Sequence, residues 1–173
     1  TDIITLEAIA LIAQNLRKVI EDPYNKPARD KLALGSLLGG IAITNSGTGG
    51  VHALAYPLGG SFGIPHGLAN AIMLPWVSEF NMPACIPKLA KVAEKMGQYT
   101  HNLSPEEAAR KAILAIKKLV EDMPIPLRLR DVGIKKEDIP KLTELASNVK
   151  RLLDNNPREL GISEIRKIYE KAF

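Results

Sequence analysis

A chain of 173 residues can close a hydrophobic core without disulfides or a structural metal, so one domain spanning 1–173 is the expectation. With 46% hydrophobic residues, a lone cysteine at Cys85 and no basic segment leading into an apolar run, the sequence excludes a disulfide scaffold, does not read as a signal peptide and suits a cytoplasmic setting. The net charge of +4 arises in the second half, where 18 Lys/Arg face 13 Asp/Glu over 88–173 against 5 and 6 over 1–87; the signs there alternate along helices, which favours solvated faces over a nucleic-acid footprint.

The chain opens without methionine and runs almost directly into helix, as at a domain boundary inside a longer protein. From Leu6 to Ile20 the apolar residues Leu6, Ile9, Ala13, Leu16 and Ile20 recur at helical spacing, with Asp2 as the expected N-cap. After the turn around Pro23, a second helix is predicted over Ala28–Thr44. Its Gly35, Gly39 and Gly40 each cost about 1 kcal/mol relative to alanine, which suggests close approach of a neighbouring helix or ligand. Asn45–Gly50 breaks the pattern. A short apolar segment, Val51–Leu58, follows, then a helix from Pro65 to Phe80 that Pro75 should kink or interrupt, and a separate segment over Pro87–Met96. Ser104-Pro105-Glu106-Glu107 is a capping box leading a helix that ends near Val120, and the tail offers helices over Lys136–Leu153 and Ile162–Ala172. No segment alternates with period two, so strands are not expected.

From Leu32 through Ser78 there is no Asp, Glu, Lys or Arg. Such a stretch is expected to be interior. Gly, Pro, Asn, Ser and Thr interrupt it, so no run approaches the roughly 20 apolar residues of a membrane span. Two of the three histidines, His52 and His66, fall inside it. Desolvation there would favour the neutral imidazole, the form that gives a lone pair to a metal, although a hydrogen-bonded core histidine is the commoner use of such a residue. His101, in a polar loop, is expected at the surface, and Cys85, between Pro83 and Pro87, as a small buried apolar residue.

The string Gly50-Val51-His52-Ala53-Leu54-Ala55-Tyr56-Pro57-Leu58-Gly59-Gly60, followed by Ile64-Pro65-His66-Gly67-Leu68-Ala69-Asn70, resembles the signature of the iron-containing (group III) alcohol dehydrogenases. Thr1-Asp2 with Leu6–Ile9, and Asn155-Asn156-Pro157-Arg158 with the terminal helix, extend the likeness over essentially the whole chain. The resemblance implies an all-α, multi-helix orthogonal bundle, the C-terminal domain of the iron-containing alcohol dehydrogenase and dehydroquinate synthase-like fold, with the N-terminal nucleotide-binding domain absent. It implies His52 and His66 as metal ligands, Fe(II) or Zn(II) as the metal, NAD or NADP as the hydride carrier, and an alcohol or aldehyde substrate. Further partners implied are the protein's own N-terminal domain and, for the intact protein, further copies in a homo-oligomer.

Two departures stand out. The family completes its metal site with Asp-x-x-x-His on a helix shortly upstream, and no Asp-x-x-x-His occurs here, so the fragment alone is expected to be inactive. Tyr56 stands where many members carry a histidine near nicotinamide and substrate. Four residues past His52 it shares a helical face with it; it is either a core tyrosine with its hydroxyl satisfied or, by the resemblance, a catalytic candidate in the active cleft whose phenol orients a substrate hydroxyl without relaying a proton. The glycines of Gly47-x-Gly49-x-x-His52 are no dinucleotide fingerprint, since the third glycine and a preceding strand are both missing. The alternative from another class is a non-enzymatic helical interaction domain with structural histidines.

Overall fold

The computed structural model describes all 173 residues as helices and connections, without a strand, in agreement with the all-α expectation. Eight α-helices follow in order: α1 (Asp2–Glu21), α2 (Lys26–Ser46), α3 (Gly50–Phe62), α4 (His66–Lys95), α5 (Pro105–Glu121), α6 (Ile139–Ser147), α7 (Lys150–Leu153) and α8 (Ile162–Ala172). Two 3₁₀ turns, Leu129–Val132 and Lys136–Asp138, lie between α5 and α6. No helix is long and apolar enough to cross a membrane.

The chain divides into two compact units: one contains 1–47 and 85–123, the other 48–84 and 124–173. The division falls inside α4, between Pro83 and Pro87. Prolines there remove intrahelical hydrogen bonds, yet α4 runs unbroken through Pro75, Pro83 and Pro87. The interruption expected at Pro75 and the separate segment expected at Pro87–Met96 are therefore both corrected.

In the first unit α1 packs on α2 across the connection at Asp22–Asn25. Thr1, not Asp2, occupies the N-cap of α1, and Asn25 caps α2 by accepting from the Ala28 N–H at 3.1 Å. Gly35 is where the two helices meet most closely. A Cβ there would lie 2.9 Å from Ile12 Cγ1 and 3.2 Å from Leu11 Cβ, so glycine is required at that point. Gly39 and Gly40 face open space, and the close approach expected of them is absent. Capping of α5 is as the sequence specifies, with the Ser104 N–H donating to Glu107 Oε2 at 2.8 Å and the Glu107 N–H to Ser104 Oγ at 3.3 Å. Arg17 of α1 reaches Asp122, just past α5, at 2.8 Å.

The uncharged stretch is interior only in part. On α2, Leu34 (47% exposed), Leu37 (61%) and Ile41 (40%) face outward, because the buried Ala28, Gly35 and Ala42 take the side against α1 and a helix buries one stripe per neighbour. The lack of charge thus marks an apolar surface as well as a core.

The second unit is built on a fuller core. Leu54, Leu58, Met73, Leu142, Ile165 and Tyr169 from α3, α4, α6 and α8 are completely enclosed. The Val51–Leu58 segment is part of α3, a helix of 13 residues that tolerates Pro57 internally and ends on Gly63 in the left-handed region, φ 68°. The expected single helix over Lys136–Leu153 is split into the second 3₁₀ turn, α6 and α7; Asn148 and Val149, between α6 and α7, carry the break.

Candidate metal centre

Within the second unit, α3 carries His52 and Tyr56 on one face, and α4 starts at His66 after the short connection Gly63–Pro65. The two imidazoles come together. Their ring centroids lie 5.3 Å apart with planes tilted by 50°, and the Tyr56 ring sits 5.9 Å from that of His66. The three side chains named from the sequence therefore form one cluster.

Their surroundings differ from expectation. His52 is half-buried, while His66 and Tyr56 are exposed, Tyr56 to 44%, so the cluster opens to the exterior of the unit and not into a dry interior. The reason is local: Ala53, Leu54, Ala55 and Leu58 take the inward face of α3 and leave positions 52 and 56 on its outward face. Burial and the nearby His66 ring still hold the His52 pKa below the ordinary histidine value of 6.5, in that order of importance, so its lone pair is available at neutral pH.

Asn70, four residues along α4 from His66, fixes the orientation of the second ring. Its Nδ2 donates to the His66 carbonyl at 2.9 Å, which settles which end of the amide faces His66, and lies 3.0 Å from His66 Nε2. With Nδ2 as donor, Nε2 must carry the lone pair, and that nitrogen is the donor atom offered to a ligand. The Asn70 Oδ1 atom is buried without a partner. Asn70 had no role in the sequence reading; its i+4 spacing from His66 was the available signal.

A divalent ion takes imidazole nitrogen at about 2.0–2.1 Å, and two rings at this separation can each turn one nitrogen to a shared point. The donor chemistry fits Fe(II) or Zn(II) equally. The ligand count does not fill a coordination sphere, since no three His, Cys, Asp or Glu side chains come together in a way that could hold a metal ion. His101 is exposed beside Tyr99, at 6.2 Å between ring centroids, and Cys85 is half-buried with its thiol pKa raised by burial.

Residues 1–173 match the Fe-containing alcohol dehydrogenase family, C-terminal. The chain belongs to that family. It is 43% identical over its full length to 1,3-propanediol dehydrogenase of Citrobacter freundii and 31% identical to NAD-dependent methanol dehydrogenase of Bacillus methanolicus. Among solved structures, that of a 1,3-propanediol oxidoreductase superposes with a TM-score of 0.93 over 97% of this chain, at 43% identity. The chain spans 44% of the length of the first and 45% of the second of these relatives, and 44% of the solved chain.

Proposed function

We propose that this chain is the metal-binding half of an NAD(P)-dependent alcohol dehydrogenase that moves a hydride between an alcohol and the nicotinamide. His52 and His66 are two of the metal ligands, the remaining ligands lie in the stretch shortly upstream of this chain, and the nucleotide site comes from an N-terminal domain. The observation carrying this reading is the convergence of the two imidazoles, 5.3 Å apart, with Tyr56 beside them.

His52 contributes a ring kept neutral by burial and by His66. His66 contributes Nε2, released when Asn70 gives up its contact with that atom. When bound, Fe(II) or Zn(II) supplies a Lewis acid for the substrate oxygen, worth several kcal/mol. Tyr56, one turn beyond His52, presents a phenol hydroxyl that orients the substrate hydroxyl by hydrogen bonding. With two ligands only, the chain by itself binds metal weakly and turns over no substrate. The whole protein works in the cytoplasm, on a small alcohol or aldehyde, as a homo-oligomer.

Calorimetric titration with Zn(II) and alcohol-dependent reduction of NAD or NADP test this reading. The chain alone should show no submicromolar site, whereas protein that includes the preceding domain should bind metal stoichiometrically and lose both metal and activity in the H52A/H66A variant. A tight site that persists after both histidines are removed would sink the proposal. The uncovered stripe of α2 would suit an interaction domain, but that reading leaves the paired histidines without a task.

A further inference from the structure

Helix α3 is poorly equipped to hold its own first turn. The first amides of any helix lack intrahelical acceptors, and its N-cap, Gly49, has no side chain to serve them. Pro57 removes the hydrogen bond that would end on the Ala53 carbonyl, one residue from His52. Two contacts from the far end of the sequence brace this part of the helix, one on its first amide and one on the Leu54 carbonyl, while the Ala53 carbonyl is served by neither. Asn156 Oδ1 accepts from the Gly50 N–H at 3.1 Å, and the Tyr169 hydroxyl donates to the Leu54 carbonyl at 2.7 Å. These two grips stand two residues to either side of His52.

Asn156 is itself held in one orientation. It forms a reciprocal amide pair with Asn81 of α4, Asn81 Nδ2 donating to Asn156 Oδ1 and Asn156 Nδ2 to Asn81 Oδ1, each at 2.8 Å. The space around it is tight: a Cβ at position 50 would lie 2.5 Å from Leu160 Cδ1 and 2.7 Å from Asn156 Oδ1, so a side chain there would push both aside. Next to it Asn155 Nδ2 donates to the Thr48 carbonyl at 3.1 Å. Arg158 stacks on Phe80, 4.1 Å from the ring centroid, while donating to the Phe80 carbonyl at 2.9 Å. One side-chain amide thus touches both the helix bearing His52 and the helix bearing His66.

We propose that Asn156, clamped by Asn81, is a positioning residue of the metal centre: it fixes the first turn of α3 relative to α4 and so sets the separation of the two imidazoles. This rests on the reading that His52 and His66 share a metal. Asn156 lies outside the ligand shell and acts through the backbone at Gly50, in the manner of outer-shell partners whose loss costs metal affinity while the ligands stay in place.

The test is Zn(II) titrated into this chain at neutral pH, followed by the imidazole resonances of His52 and His66, with thermal unfolding recorded in parallel. In the wild type both rings should respond with one Kd, and H52A should abolish the joint response. If the wild-type rings do not respond together, the metal reading itself has failed. N156L should weaken the Kd about tenfold. L129A, which opens the same core at a residue in the first 3₁₀ turn, should lower Tm and leave the Kd unchanged. If N156L does not fold, N81L takes its place and should shift the Kd roughly threefold in the same direction, because the amide loses its clamp and keeps its contact with Gly50. A Kd within twofold of wild type in the folded variant, with H52A still abolishing binding, overturns the positioning role and leaves the metal reading standing.

Discussion

The two compact units are stabilised in different ways. In the first, many polar contacts are local, the Ser104–Glu107 capping box and the i,i+4 pairs Lys26–Asp30, Arg110–Glu106 and Lys118–Asp122, and the longer reaches Arg17–Asp122, Lys88–Asp2 and Gln14–Lys95 lie near the surface. In the second, the decisive polar contacts join residues 75 to 115 positions apart, at Asn81–Asn156, Gly50–Asn156 and Leu54–Tyr169. Local pairs on exposed helix faces each contribute little, whereas a buried hydroxyl or amide left without its partner costs about 1–3 kcal/mol. The unit that carries the histidines is the one whose polar groups depend on distant partners.

The sharpest way to break this contrast is to open the second core. Leu58→Ala should cost about 2–5 kcal/mol of unfolding free energy, read in urea from the fluorescence of Trp76, the sole tryptophan, which belongs to that unit. A loss below about 1 kcal/mol would mean that the enclosed side chains carry less of the stability than their burial implies. Gly50→Ala should cost about 1–3 kcal/mol by overpacking against Leu160 and Asn156, and the same substitution at Gly40, which faces open space in a helix, should be neutral or stabilising. Equal effects at the two glycines would remove the basis for the tight seat at position 50.

Ser104→Ala tests the other unit and should cost about 1 kcal/mol, measured by helical circular dichroism in urea; Lys26→Ala should stay within about 0.5 kcal/mol. A larger effect at Lys26 than at Ser104 would contradict the ranking of cap over surface pair. The smallest effect expected is on pH dependence. The folded chain holds the His52 pKa below 6.5, so between that lowered value and 6.5 the unfolded chain binds more protons. Stability from this group is therefore complete above pH 6.5 and falls on acidification through the window, and H52A should flatten that part of the profile in Trp76-detected unfolding.

What could be read from the sequence follows the same division. Helix α1, the cap of α5 and the close seat at Gly35 each rest on residues within a few positions or on a periodic face, and they emerge as read. The histidine pair was legible because its motif is compact: 14 positions separate the two rings, one connection apart. The clamp was not legible, since nothing in Asn81 or Asn156 taken singly announces a partner 75 residues away. The uncharged stretch was misread on α2 because absence of charge says that a surface avoids water without saying what covers it. The continuous path of α4 through three prolines was missed for a related reason: distant packing outweighs a local breaker.

The outward stripe of α2 has a practical consequence for handling the protein. Leu34, Leu37 and Ile41 lie along one line of that helix, and a row of water-facing aliphatic side chains invites self-adhesion as concentration rises. Light scattering should increase with protein concentration and fall when Leu37 is replaced by lysine, and a fluorescent apolar dye should bind the parent chain more strongly than that variant.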